Sequence, residues 1–159
     1  MKKRITFDYD DSGLTIAKLR VGEKTYFGTA QKHPDDKFNA SYGVGVEIAE
    51  ARAYIHYIND KISDKTIELK SLKRVLYAMP KETQGRNYVE NVYKAICLEI
   101  ADLKGERYLL KQKINNVIEG RNIYIRSRSA TKEEKEKMRA AIQEGFKTIS
   151  QVKSAKEEE

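Results

Sequence analysis

The run VEIAEARAYIHYINDKISDKTIELKSLKRVLYAM, residues 46–79, decides the fold. Ile48, Ile55, Ile62, Leu69 and Leu76 recur every seven residues, and Ala51, Ile58, Leu72 and Met79 follow three later in most repeats. Apolar residues spaced three and four apart share one stripe of a helix, and a sustained period of seven favours a left-handed pair packed knobs-into-holes. Residues 88–118, YVENVYKAICLEIADLKGERYLLKQKINNVI, keep the same step through Val89, Ile96, Leu103, Leu110 and Val117, partnered by Tyr93, Ile100 and Ile114. Lys65 interrupts the first seam and Arg107 the second.

Between the two runs, Pro80 disfavours helix at Met79 and Gly85 permits a turn. The spacing therefore predicts an antiparallel helical hairpin over 46–118. Folding it about Gln84 sets Lys65 across from Leu103 and close to Arg107, with Glu68, Asp102 or Glu106 expected nearby to balance the two cations. Such charged breaks either fix register or snorkel outward.

Outward from the hairpin, residues 1–30 change period. Ile5–Tyr9, Leu14–Val21 and Thr25–Ala30 alternate apolar and polar residues and are rich in β-branched and aromatic types, the pattern of half-buried strands. The Asp10-Asp11-Ser12-Gly13 and Gly22-Glu23 turns join them into a three-stranded meander. A sheet this small needs a cover for its apolar face, and the near end of the hairpin supplies it.

Residues 31–45 form a predicted loop punctuated by Pro34, Gly43 and Gly45, with Phe38 and Tyr42 as anchors. Here His33, Asp35 and Asp36, followed by Glu47 and Glu50, are the residues most worth testing for a metal or general acid–base site. Turn-forming aspartates and acidic residues in a first helical turn explain the same pattern without chemistry. No phosphate-binding glycine loop and no nucleophile with a base partner is present in the sequence, and Glu68-Leu69-Lys70 lies in the helical seam rather than on a strand. One cysteine, Cys97, and two histidines exclude a disulfide scaffold and leave little for zinc. His56 sits at the edge of a packed helix face. The reading is of a chain that is not an enzyme and uses no cofactor and no metal.

After Gly120, the run RNIYIRSRS, residues 121–129, reads as a basic strand over 120–129, a fourth strand for the meander. Its arginines can clamp phosphate or carboxylate and its tyrosine can stack or anchor an interface; equally, the run suits a charged edge strand that discourages aggregation. Thr131-Lys132-Glu133-Glu134 is a capping box that opens a helix over 131–152, before a mobile tail, 153–159. The predicted fold is a single α+β domain, 1–159: a small antiparallel sheet with a long helical hairpin and a C-terminal helix.

Of 159 residues, 35% are charged, and the formal charge of +7 is uneven: nine basic against five acidic residues fall between 86 and 130. That surplus steers the protein towards polyanions or an acidic surface. With no membrane-length apolar run and no signal-peptide centre, the expectation is a cytoplasmic protein without a membrane partner.

In size, composition and architecture, with the Gly-Thr-Ala-x-x-His-Pro-Asp-Asp turn at residues 28–36, the chain resembles accessory proteins of phages and mobile elements in Gram-positive bacteria, and is similar in style to anti-CRISPR proteins. The resemblance implies an inhibitor that docks on a host effector, a nuclease or its nucleoprotein complex, by filling a nucleic-acid channel or locking a mobile domain. Tyr54, Tyr57, Tyr88 and Tyr108, off the seam, with Arg121, Tyr124, Arg126 and Arg128, are the candidate contacts. Two rivals stay open. One is direct nucleic-acid binding through the basic 111–132 region; the other is a sponge for a nucleotide signal. A homodimer through the hairpin is compatible with either.

Overall fold

Period-two patterning becomes strand where a second apolar surface covers one face. The computed structural model describes residues 2–32, 42–129, 134, 136, 137, 139–141, 143 and 144. The three alternating runs are β1 (Lys3–Tyr9), β2 (Leu14–Val21) and β3 (Lys24–Gln31), antiparallel in the order β1-β2-β3. The register stacks Ile5, Leu19 and Tyr26 in one row and Phe7, Ala17 and Gly28 in the next, all on the face turned to the helices. Gly22, at φ 63°, opens a two-residue II′ hairpin between β2 and β3. Between β1 and β2 the Asp10 carboxylate accepts the Ser12 N–H, and Gly13 takes φ 84°.

Two long helices follow, α1 (Tyr42–Ala78) and α2 (Arg86–Ser129). Helix α1 lies against the sheet so closely that a Cβ built on Gly28 would stand 2.0 Å from the Ala49 carbonyl oxygen and 2.3 Å from the Ala53 nitrogen. Ala17, Ala49 and Ala53 line the approach and are fully buried. The opposite stripe of α1, through Ile48 and Ala51, joins Ile114 of α2 in the same core cluster, with Leu110 and Val117 packed against it. The amino-terminal half of α1 is thus covered on two sides, by the sheet and by α2.

The hairpin turns as its proline and glycine dictate. Thr83 N–H donates to the Pro80 carbonyl and Arg86 N–H to that of Thr83, while Gly85 adopts φ 92°. Arg86 locks the tip: its guanidinium donates to the carbonyls of Leu76 and Met79 at the end of α1 and to Glu90 on its own helix. Opposite Lys65 stands Glu99, at 2.9 Å, with Glu68 at 3.3 Å. Arg107 donates instead to Asn59, at 2.9 Å. The expected juxtaposition of Lys65 with Leu103 and Arg107 is therefore corrected by about one helical turn. The cause is the tight turn over 80–85, which places the fold axis ahead of Gln84.

The fourth strand is corrected too. Residues 120–129 are helical, continuing α2. Gly120 costs a helix only about 1 kcal/mol, no proline follows it, and three β-prone residues in Ile123-Tyr124-Ile125 do not outweigh hydrogen bonds that propagate from a helix already formed. Helix α1 starts at Tyr42 rather than Val46 and β3 runs to Gln31, so residues 31 and 42–45 of the expected loop belong to regular elements. His33, Asp35, Asp36 and Phe38 lie outside the described residues, as does the 153–159 tail. In the 131–152 segment, the described positions 134, 136, 137, 139–141, 143 and 144 are helical. Contacts divide the chain into two units, Met1–Val117 and Ile118–Glu159.

Two glycines with opposite surroundings test this packing. Gly28→Ala should lower the unfolding free energy by at least about 2–3 kcal/mol, because backbone must move to admit the methyl. Gly105→Ala, with nothing within 4 Å of the added carbon, should raise it by about 0.5–1 kcal/mol through helix propensity alone. Urea unfolding of both variants checks the pair; equal effects would refute the close approach at Gly28.

Candidate functional site

Along the free edge of β3, α1 and the strand enclose a groove of about 600 Å³ lined by Thr25, Tyr26, Phe27, Thr29, Arg52 and His56. The two basic residues are four apart on α1, hence neighbours on one helix flank. Arg52 donates to the Thr29 carbonyl at 2.5 Å. The pairing of β2 with β3 fixes the backbone here. In an antiparallel pair, alternate residues aim N–H and C=O at the partner strand, and the II′ hairpin assigns Tyr26, Gly28 and Ala30 to β2. Thr25, Phe27 and Thr29 then aim theirs at the free edge, which agrees with the bond from Arg52.

The groove closes at one end in a three-residue network. Tyr26 Oη donates to Asp60 Oδ2 at 2.6 Å, and Lys24 Nζ donates to the same oxygen at 2.8 Å, with Asp64 at 4.0 Å. Burial of the Tyr26 ring, reinforced by its hydrogen bond to Asp60, pushes the phenol up to about 12. Hydrogen bonds from Lys24 and Tyr26 hold the Asp60 carboxyl below its ordinary range, and the bond to Asp60 raises Lys24 in turn.

The sequence-predicted contacts fall in separate places. Tyr54 and Tyr57 are half-buried on the α1 flank beside β1, where the Lys3 ammonium lies 5.6 Å and 4.8 Å from their ring centres. Tyr57 also meets Tyr26 edge-to-face at 5.4 Å, and Lys61 at 5.4 Å. These two tyrosines cover the sheet. Tyr88 and Tyr108 are exposed on α2 but twenty residues apart, roughly 30 Å along the helix. Arg121 is half-buried in the second unit, and Tyr124, Arg126 and Arg128 belong to the helical end of α2.

Sequence reasoning missed the outer side of α2. Leu98 and Leu109 are each 67% exposed and Tyr108 61%, with Gly105 between them. Positions 98, 105 and 109 fall on the stripe opposite Ile96, Ile100 and Ile114, which are buried against α1. Their spacing of seven and four was present in the sequence, hidden behind the stronger inner seam. Arg52 and Asp60 were missed because only the sheet's position gives them partners.

Among the described residues, no group of three His, Cys, Asp or Glu side chains could hold a metal ion, and no helix is long and apolar enough to cross a membrane. Comparison with known protein families, with curated proteins and with solved structures finds no match.

The Tyr26–Asp60 contact has a pH signature. A phenol whose folded-state value is raised contributes stability that is fully present below about pH 10 and is lost as pH climbs from there to about 12. Ultraviolet titration should show one of the ten tyrosines ionising last, near 12, and Tyr26→Phe should abolish that late step. A late step that survives in Tyr26→Phe would place the buried phenol elsewhere.

Proposed function

We propose that this protein is a non-enzymatic inhibitor that binds a host defence effector inside the cell, a CRISPR effector nuclease being the foremost target, and blocks a nucleic-acid channel or holds a mobile domain. The outer stripe of α2 carries the reading. Leu98, Tyr108 and Leu109 present a run of apolar surface on a helix already packed through its other side. Large apolar side chains exposed about three turns apart on one helix stripe of a charged protein suit anchors for a docking partner. The hairpin presents them on a pre-formed surface, so little ordering entropy opposes association. Tyr77 and Tyr88, both exposed near the hairpin tip, extend the supply of aromatic anchors.

The test is capture from a Gram-positive host with an active CRISPR system, using the tagged full chain with and without nuclease treatment. Stoichiometric recovery of one effector protein that survives nuclease is the expected result. The double variant Leu98→Glu, Leu109→Glu should lose at least about tenfold in affinity, as removal of two buried anchors implies, with its thermal midpoint unchanged. Recovery of nucleic acid alone, or of nothing, overturns the proposal.

A further inference from the structure

Edge strands of small sheets are normally blunted by lysine, proline, a bulge or a covering element. β1 follows this rule, with Lys3, Arg4 and Asp8 along its length. β3 follows it only at its first residue, Lys24: from Thr25 to Gln31 it carries no charge and no proline, and among the described residues β2 is its only strand neighbour. Phe27 is half-exposed on this strand. Beside it runs the groove, whose lining holds the cationic Arg52 and the imidazole of His56 and no acidic residue. Asp60, four residues beyond His56 on the same flank of α1, is already engaged by Lys24 and Tyr26.

The geometry points to β3 as an acceptor for an extended segment of a partner protein, added as a fourth strand and carrying a carboxylate that Arg52 and His56 receive. Backbone N–H and C=O groups of Thr25 and Phe27, with the Thr29 N–H, supply the ladder, the Thr29 carbonyl being held by Arg52, and main-chain pairing gives affinity without demanding a particular sequence. The side chains of the added strand alternate, so those on its inner side fall over the helix flank. Arg52 spends one donor on the Thr29 carbonyl, and a guanidinium has five in a planar fork suited to carboxylate. Charge complementarity thus selects an acidic segment rather than a basic one. With about 3.4 Å per residue, the eight-residue strand accommodates a segment of roughly five to seven residues. The inference rests on reading the chain as a protein-binding inhibitor and adds a second contact, remote in chemistry from the apolar stripe of α2.

A phage-displayed library of random dodecapeptides, selected on the full chain, tests it. Enriched peptides should share an Asp or Glu within a β-branched or aromatic run. A synthetic copy of the leading peptide should bind at least about tenfold more weakly to Arg52→Gln, His56→Gln and to Thr25→Pro, whose missing N–H faces the free edge. Its binding should also slow hydrogen exchange at the Thr25 and Phe27 amides. If Thr25→Pro fails to fold, the exchange data and Phe27→Lys, which sets a charge on the strand, decide instead. No enrichment, peptides without an acid, or affinity indifferent to these changes overturns the inference. So does a wild-type dimer that Phe27→Lys converts to monomer, since the occupant would then be a second copy. Effector capture that is lost in Leu98→Glu, Leu109→Glu but kept in the groove variants separates failure here from failure of the inhibitor reading.

Discussion

Contact between Gly28 of β3 and the backbone of α1 at Ala49 and Ala53 governs the rest of the unit formed by Met1–Val117. A strand and a helix ordinarily stand about 10 Å apart because side chains separate them. Here a glycine and three alanines remove the spacer, and the helix settles onto the strand. Dispersion between close-packed atoms rewards this only where the fit is complete, so any larger side chain at these positions is excluded. Once α1 is seated, its opposite stripe of isoleucines is left uncovered, and α2 is the element that buries it. The inner face of the sheet, both faces of α1 and the inner face of α2 therefore follow from one close approach.

Polar residues set the register that apolar packing leaves loose. A heptad seam of isoleucine and leucine can slide by one turn at modest cost, since each side chain finds an equivalent hole. Lys65 resists sliding, because its ammonium would lose Glu99 of the facing helix and keep only Glu68 of its own. Arg107 meets the Asn59 amide, and Arg86 ties the carbonyl end of α1 to the first turn of α2. Part-exposed ion pairs contribute only about 0–1 kcal/mol each to stability. Their role is to make one alignment better than its neighbours, as polar breaks do in coiled coils.

This division explains what could be read from the sequence. Period two over residues 3–31 and period seven over 48–117 identify the strands, the helices and their inward faces, because burial is written in the spacing of apolar residues. The register of the hairpin was out by a turn, since it depends on how tightly residues 80–85 fold, and turn geometry leaves no trace in the heptads. The basic run after Gly120 was misread as strand because local β propensity at Ile123-Tyr124-Ile125 is weaker than the continuation of a helix begun forty residues earlier. Tyr54 and Tyr57 were singled out as contacts by lying off the seam. A second layer, the sheet, turns out to lie on that side. Conversely, Leu98 and Leu109 lie off the heptad seam, and only the structure shows them both two-thirds exposed.

The two flanks of α1 treat the sheet edges differently, and the difference is electrostatic. On the β1 side, Lys3 lies over the rings of Tyr54 and Tyr57 and Lys61 over that of Tyr57, so cations and aromatic rings satisfy one another where that strand meets the helix. On the β3 side, Lys24 is drawn to Asp60 at one end and Arg52 to the Thr29 carbonyl further along; between them Tyr26 turns inward to meet Tyr57 of α1, and the strand carries no charge. An edge pinned at two points keeps its shape, and among the described residues no second strand lies on it. Unpaired backbone groups held in this way are already arranged as a partner strand needs them, so association costs little backbone ordering on this side. A sheet of three strands gains stability from a fourth, and the chain does not supply it from its own basic run, which is helical.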